Sequence, residues 1–265
     1  MTVDRPRRTA LVTGAGAGIG QAIAVALASA GHLIVLAGRR VEALGETAEC
    51  LPSPAVILPM DAADPNSIDL ALTRLGEQGI AVDILVNNAG LMGNSAVVGT
   101  GLTRELRRSL DSNLMGPALL CEALVPGMTT RGWGRVVNIA STAGQSAPPG
   151  QAPYSVSKAA VIALTKALAV DCAGRGVTVN AIAPGPVETA RYRATKGPDA
   201  IRSRAQSIPT GQLSRPEDVA QAVAFLVSDA AQQITGQTIT IDGGEQAAGP
   251  YTAMYLAQKE RQSGQ

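Results

Sequence analysis

Short runs of β-branched and aliphatic residues alternate with longer Ala- and Leu-rich stretches along most of the chain. The short runs predict β-strands, and the longer stretches have the length and composition of helices. The predicted strands lie at 9–13, 33–37, 55–60, 83–87, 134–139, 177–182 and 238–241. The predicted helices lie at 19–30, 41–49, 65–77, 103–129, 152–173 and 216–228. This alternation is typical of repeated βαβ units, so we expect an α/β fold with a seven-stranded parallel sheet flanked by helices.

The composition favours the same fold. The chain has 265 residues, of which 46% are hydrophobic but only 2% aromatic. A core built from Ala, Val, Leu and Ile suits buried parallel strands and the helices that cover them better than it suits a β-sandwich. A single α/β domain of this length is ordinary, so residues 1–265 are predicted to form one domain.

The charge pattern argues for small-molecule chemistry. The formal net charge is +1 and the charged residues are scattered, which gives no electrostatic footprint for nucleic acid or for an anionic membrane. The longest apolar stretch, 22–38, is interrupted by Gly31 and His32 and is too short on either side to span a bilayer. The first residues carry arginines without the apolar segment of a secretory signal, so we expect a cytoplasmic protein without nucleic-acid or membrane partners.

Two other enzyme classes are not indicated. His32 is the one histidine of the chain, and no G-x-S-x-G motif is present, which argues against a serine hydrolase. The cysteines also lack the paired spacing of a zinc or redox site, so no metal site is expected.

The first predicted strand leads into a glycine-rich turn and then a helix. Glycines let a backbone turn tightly and approach phosphates, and a helix N-terminus offers free N–H groups. The spacing does not match the common G-x-G-x-x-G pattern. Glycine-rich turns also occur in loops without a ligand, but the strand before and the helix after favour a dinucleotide site. The turn residues predicted to contact the cofactor are Gly14, Gly16, Gly18, Ile19 and Gly20.

Tyr154 and Lys158 lie four residues apart at the start of an Ala-rich helical stretch, so both side chains project from one face. A free phenol has a pKa of about 10, and a neighbouring ammonium lowers it towards the range of a useful general base. On its own this pair is more typical of a surface helix than of a catalytic site. Ser141, which follows a predicted strand thirteen residues before Tyr154, places a hydroxyl at the sheet edge beside the helix start and favours a catalytic site.

Together these motifs resemble the compact branch of the short-chain dehydrogenase/reductase family, in particular its 3-oxoacyl-[acyl-carrier-protein] reductase-like members. The likeness covers about 8–246 and includes T-G-x-x-x-G-x-G at 13–20, N-N-A-G at 87–90, Y-x-x-x-K at 154–158 and the ending at 234–244. It implies a doubly wound Rossmann domain that binds a dinucleotide and interconverts a secondary alcohol and a ketone by hydride transfer. The alternative is a regulator or scaffold that binds the cofactor without turnover.

The resemblance also implies roles for individual residues. Tyr154 would be the catalytic acid/base, and Ser141 would hydrogen-bond the substrate oxygen. Lys158 would bind the nicotinamide ribose and lower the pKa of Tyr154. Asn113 would hold a water in a proton relay, although an Asn within a helix can also simply bond to backbone or solvent.

Further cofactor contacts are implied at the carboxyl ends of other strands. Asp61 and Ala62 follow the third strand, where Asp61 would contact the adenine; a turn at the entry of the next helix is a competing role for Asp61. Asn87 would help to shape the cofactor loop. The remaining predicted contacts are Asn88, Ala89, Gly90, Pro184, Gly185, Val187 and Thr189.

The end of the second strand bears on the choice between NADP and NAD. NAD-binding folds place an acidic residue there, whereas NADP binders offer arginine to the 2′-phosphate. The strand ends in Arg39 and Arg40, and no carboxylate follows before Glu42, which favours NADP with Arg39 as the phosphate contact and Arg40 assisting. NAD stays open, because Ala17 occupies a turn position that is basic in many NADP-using relatives and because both arginines could simply be solvated.

The substrate side is less defined. Residues 186–212, predicted as a lid over the carboxyl edge of the sheet, carry a local excess of positive charge. An anionic substrate is one interpretation, and solvated helix faces are the other. The extension 247–265 could pack on a neighbouring subunit, cover a site or be disordered. The resemblance implies a homotetramer or homodimer.

Overall fold

The seven strands pair in parallel in the order β3-β2-β1-β4-β5-β6-β7, in a computed structural model that describes residues 7–93 and 98–251. This is the order of a doubly wound fold, with the reversal between β1 and β4. The predicted fold class is therefore confirmed. The strands are β1 Thr9–Thr13, β2 Leu33–Gly38, β3 Val56–Pro59, β4 Ile84–Asn87, β5 Gly134–Ile139, β6 Val177–Pro184 and β7 Thr238–Ile241.

Helices cover both faces of this sheet. Neighbouring residues of a strand point to opposite faces, so Leu11 of β1 packs in one core while Val12 packs in the other. This explains why the strands are apolar runs without a polar side. The helices are α1 Gly18–Ser29, α2 Val41–Glu49, α3 Pro65–Glu77, α4 Leu102–Leu110, α5 Gly116–Thr130, α6 Ala152–Asp171, α7 Ala190–Thr195, α8 Pro198–Gln206, α9 Pro216–Leu226 and α10 Glu245–Ala248.

The predicted helix 103–129 is wrong in one respect, because it is interrupted. A π-helical turn at Asp111–Met115 separates α4 from α5. Pro117 has no N–H to bond the carbonyl of Asn113 four residues earlier, so a regular α-helix cannot run through this point. Such π turns often lie at functional sites. The interruption places Asn113 at a local widening of the helix.

The lid interval 186–212 contains two short helices, α7 and α8. The C-terminal extension is described only as far as α10 and a short 3-10 turn at Gly249–Tyr251. Residues 252–265 lie outside the described part of the chain, so the predicted role of the extension stays a prediction. The role of the lid also stays a prediction.

The described residues contain neither a membrane-spanning helix nor a cluster of metal-ligating side chains. No helix there is long and apolar enough to cross a bilayer. No group of three or more potential metal ligands occurs in the same residues.

Candidate active site

The turn after β1 packs too closely for side chains at several positions. Gly14 and Gly18 have φ of 64° and 56°, in the left-handed region that favours glycine. A Cβ on Gly20 would overlap the carbonyl oxygen of Gly14 and would lie 2.5 Å from Asn88 Nδ2. The chain therefore presents bare backbone between the end of β1 and the first turn of α1, as a phosphate-binding turn requires.

Thr13 fastens this turn to the loop after β4. Its buried Oγ1 accepts hydrogen bonds from the backbone N–H groups of Asn88 at 3.0 Å and Ala89 at 2.9 Å. Asn88 Nδ2 in turn donates to the Thr13 carbonyl at 2.8 Å. Thr13 was not predicted as a site residue, although a threonine that ends a buried strand before the first glycine was a readable signal. The two loops form one rigid edge.

A groove of about 740 Å³ runs across the carboxyl ends of β1, β2, β3 and β4. Its size and position at the switch point of the sheet suit a dinucleotide. Twelve of the predicted cofactor contacts line it: Gly14, Gly16, Gly18, Ile19, Gly20, Arg39, Asp61, Ala62, Asn88, Ala89, Gly90 and Thr189. The other lining residues are Thr13, Ala17, Ala37, Gly38, Arg40, Leu44, Met60, Ala190 and Arg191.

At the β2–β3 end of the groove, Arg39 and Asp61 form an exposed ion pair with Nη1 and Oδ2 3.8 Å apart. Asp61 Oδ1 also accepts the backbone N–H of Ala63 at 3.0 Å. Asp61 thus makes the turn that was weighed as its competing role, and it lines the groove as well. Arg39 keeps most of its side chain exposed and accessible to an anion.

Some predicted contacts lie away from this groove. Asn87 points into the protein, where its Nδ2 donates to Asn138 Oδ1 at 2.9 Å. The N–H of Gly185 donates to the carbonyl of Ile241 at 2.8 Å, and Val187 is buried. Pro184 ends β6. These residues hold the sheet edge together, and a cofactor role for Pro184, Gly185 and Val187 stays a prediction.

Tyr154, Lys158 and Ser141 come together beside the groove, next to Gly90 of the loop after β4, although none of the three lines it. Lys158 is buried and its Nζ donates to the carbonyl of Ile139 at 2.7 Å, 5.8 Å from the centre of the Tyr154 ring. Ser141 follows β5, and its side chain hydrogen-bonds that of Tyr154. A Cβ on Gly90 would lie 3.4 Å from Lys158 Nζ, so the groove lining reaches this cluster.

Asn113 joins the cluster through its side chain. Its Oδ1 accepts the N–H of Leu91 at 2.6 Å, and its Nδ2 donates to the Leu91 carbonyl and to Ser157 Oγ, each at 2.9 Å. Ser157 Oγ donates to the Tyr154 carbonyl at 2.7 Å. Both ends of the Asn113 amide therefore have protein partners. Sequence reasoning missed Ser157, whose position three residues after Tyr154 on the same helix was the available signal.

Gly144 is a third missed residue, after Thr13 and Ser157. A Cβ there would lie 2.6 Å from the backbone carbon of Lys158. Glycine therefore lets the 3-10 turn after Ser141 rest directly on α6, which brings the Ser141 hydroxyl to Tyr154.

Burial dominates the electrostatics of the cluster. Burial raises the pKa of Tyr154, and the hydrogen bond with Ser141 opposes this only in part. Burial also lowers the pKa of Lys158 to about 8, which disfavours its charged form. Lys158 is not among the groups that shift the pKa of Tyr154 here, since its Nζ is directed at the Ile139 carbonyl, and its expected lowering of that pKa stays a prediction.

This shift of Lys158 predicts a pH effect on stability. Between about pH 8, the folded pKa, and 10.5, the ordinary value, the unfolded amine is protonated while the folded amine is mostly neutral. Raising the pH across this window therefore favours the folded state. Relative to Lys158→Met, the wild type is expected to gain up to about 3 kcal/mol of unfolding free energy, measured by urea denaturation. The control is Lys166→Met on the exposed side of the same helix; equal pH slopes for all three proteins would contradict this.

The positive charges of the lid are largely neutralised. Arg193 pairs with Glu188 at 3.0 Å, Arg202 with Asp199 at 3.1 Å, and Arg204 with Glu245 at 2.6 Å. Within residues 7–93 and 98–251, Arg191 and Lys196 have no acidic partner. The structure therefore reduces the excess charge that was considered as a site for an anionic substrate.

The fold and this groove define a dinucleotide-binding oxidoreductase. A family model described as Enoyl-(Acyl carrier protein) reductase matches residues 14–246. The chain belongs to the short-chain dehydrogenase/reductase family, and it is an NAD(P)-dependent oxidoreductase that acts on alcohol and keto groups. The resemblance inferred from the sequence is thereby confirmed.

Named relatives agree with this. A 3-oxoacyl-[acyl-carrier-protein] reductase of Vibrio cholerae is 36% identical over 89% of this chain and 96% of its own. An acetoacetyl-CoA reductase of Rhizobium meliloti is 39% identical over 90% and 98%. The structure of a putative gluconate dehydrogenase from Agrobacterium tumefaciens is similar with a TM-score of 0.85, 33% identity and coverage of 90% and 95%. All are named for dehydrogenase or reductase activity, so the alternative of a silent regulator finds no support.

Proposed function

We propose that this protein reduces the keto group of a 3-oxoacyl thioester to a secondary alcohol, with NADPH as the hydride donor and Tyr154 as the proton donor. The observation that carries the proposal is the cluster of Tyr154, Ser141 and the buried Lys158, which adjoins a groove of dinucleotide size through Gly90. The substrate class is supported by the two curated relatives, both named for reduction of a 3-oxoacyl thioester.

The groups of the cluster divide the chemistry between them. The nicotinamide, when bound, supplies the hydride. Tyr154 gives its phenolic proton to the carbonyl oxygen as that oxygen gains negative charge, and Ser141 donates a hydrogen bond to the same oxygen. Lys158, held by its hydrogen bond to the Ile139 carbonyl, would bind the cofactor ribose. Asn113 ties Leu91, in the loop after β4, to Ser157 of α6 through its side-chain amide.

Because burial raises its pKa, Tyr154 keeps its proton near neutral pH, as its role of proton donor in ketone reduction requires. A phenol that retains its proton is ready to act as a general acid, whereas alcohol oxidation needs the phenolate. Ketone reduction is therefore supported over a wide neutral range, and alcohol oxidation gains rate as the pH rises.

The activity test is a cofactor-absorbance assay with acetoacetyl-CoA and a panel of neutral ketones, each with NADPH and NADH. Reduction of the thioester with a higher kcat/KM than that of the neutral ketones supports the proposed substrate class. Absence of turnover across the panel in protein that binds NADPH would contradict it.

The cofactor preference rests on Arg39. We expect Arg39→Ala to lower kcat/KM with NADPH roughly 10-fold or more, because a charge-assisted hydrogen bond to the 2′-phosphate is lost. With NADH, kcat/KM is expected to change less than about twofold. Arg40→Ala, measured beside it, reports whether the neighbouring arginine assists. A strong preference for NADH that is unchanged in Arg39→Ala would contradict the proposed use of NADP.

A cytoplasmic location and a homotetrameric or homodimeric assembly complete the proposal. The assembly is tested by light scattering of the purified chain, for which a monomer at micromolar concentration is the contrary result.

A further inference from the structure

Arg191 stands apart from the other cations of the lid. Arg193, Arg202 and Arg204 each pair with a carboxylate, whereas Arg191 has no acidic partner within the described residues. Among these lid arginines, Arg191 alone lines the nucleotide groove. Its charge is therefore free to meet a ligand there.

The position of Arg191 along the groove is fixed by the residue at the start of its helix. Thr189 caps α7 with its Oγ1, which accepts the N–H of Tyr192 at 3.1 Å. A Cβ on Gly18 would lie 3.1 Å from Thr189 Cγ2, so the beginning of α7 rests directly on the glycine turn. Arg191, two residues further, lines the groove at this turn.

The glycine turn lacks a cation of its own. Residues 14–20 contain only Gly, Ala and Ile, so their backbone N–H groups are the sole donors that the turn offers to phosphate. The other charged groups that line the groove are Arg39, Arg40 and Asp61, which follow β2 and β3. The sheet order places these two strands on the far side of β1 from β4, beyond the glycine turn.

We infer that Arg191 binds the diphosphate of the dinucleotide and closes the lid segment over it, while Arg39 binds the 2′-phosphate at the other end. The inference rests on the proposed function, because it assigns a residue to the cofactor groove of that function. A guanidinium matches phosphate oxygens with paired N–H donors, and Arg191 is the cation that the lid brings to the bare turn.

The test measures nucleotide binding without turnover, by isothermal titration calorimetry. Arg191→Ala is expected to lower the affinity for ADP-ribose roughly 10- to 100-fold. This probe has the diphosphate but lacks nicotinamide. The affinity of Arg191→Ala for adenosine 2′-monophosphate is expected to be unchanged, because that probe lacks the diphosphate. Arg39→Ala is expected to lower the affinity for adenosine 2′-monophosphate and to leave that for ADP-ribose unchanged. Arg191→Lys keeps the charge but loses the paired N–H donors of the guanidinium. Its affinity for ADP-ribose is expected to lie between those of the wild type and Arg191→Ala.

Arg193→Ala is the matched control, because Arg193 lies on the same helix, is paired with Glu188 and does not line the groove. Its affinity for ADP-ribose is expected to change less than about twofold. Hydrogen exchange adds a second readout: ADP-ribose is expected to protect the amides of α7 in the wild type and in Arg193→Ala, but not in Arg191→Ala.

The outcomes separate the two proposals. If Arg191→Ala binds ADP-ribose as tightly as the wild type does, the assignment of Arg191 is overturned and the oxidoreductase proposal stands. The assignment is also overturned if only the KM for an acyl thioester rises, because Arg191 then belongs to the substrate side. If the wild type binds neither ADP-ribose nor NADPH, the proposed function itself fails.

Discussion

Tyr154→Phe is expected to lower kcat for ketone reduction roughly 10²- to 10⁴-fold while NADPH still binds. The phenolic oxygen is the proton donor of the proposed mechanism, and the substitution removes that atom while it keeps the ring. Tyr154 is part-buried on α6, and phenylalanine fills the same space as its ring. The measurement is kcat with acetoacetyl-CoA beside the dissociation constant for NADPH.

The control for this variant is Tyr251→Phe, which removes a hydroxyl from an exposed tyrosine of the C-terminal turn. Its kcat is expected to stay within about twofold of the wild type, as for surface changes away from a site. If Tyr154→Phe retains wild-type kcat, Tyr154 is not the proton donor and the mechanism is wrong. If it loses NADPH binding as well, the loss of turnover no longer reports proton transfer, and the assignment of Tyr154 as acid is not supported.

Gly20→Ala is expected to destabilise the fold by about 3 kcal/mol or more and to weaken nucleotide binding at least about 100-fold. The new methyl group would overlap the carbonyl oxygen of Gly14 and would lie 2.5 Å from Asn88 Nδ2. Both neighbours belong to the rigid edge that Thr13 ties together. The overlap with the new methyl group can therefore be removed only if the phosphate turn moves. Urea denaturation measures the stability, and titration with ADP-ribose measures the binding.

Gly45→Ala gives the matched control. Gly45 lies inside α2, and a Cβ there meets no atom within 4 Å. Alanine is the better helix former, so this variant is expected to be more stable by about 0.5–1 kcal/mol. If Gly20→Ala matches Gly45→Ala in stability and binds ADP-ribose normally, close packing is not the reason for a glycine at position 20.

The elements of the fold could be predicted from local patterns. The central strands β1 and β4 are mainly apolar because both of their faces are covered, and each predicted strand is present with ends shifted by at most two residues. The helix 103–129 was misjudged because a π turn keeps the same apolar residues and changes only the hydrogen-bond partner. Pro117 was the local sign of the break, but its position in an Ala- and Leu-rich stretch resembles an ordinary helix start.

The candidate site could be predicted only in part. The spacing of Tyr154 and Lys158 on one helix follows from the sequence, as does the bare backbone of the glycine turn. The role of Ser157 could not be predicted, because its partner Asn113 is 44 residues away along the chain. Asn87 and Asn88 were adjacent and equally plausible, and the alternation of the strand end decided that Asn88 faces the groove while Asn87 points into the core.

The sequence alone determined the class of fold, the bare glycine turn and the candidate catalytic pair, because these depend on residue types at fixed local spacing. The tertiary structure decided the electrostatics of that pair. The pKa of Tyr154 is raised and that of Lys158 is lowered to about 8 because the surrounding protein excludes water from both groups. Desolvation depends on everything that packs around a side chain. The sequence therefore identified the pair, and the fold set its protonation.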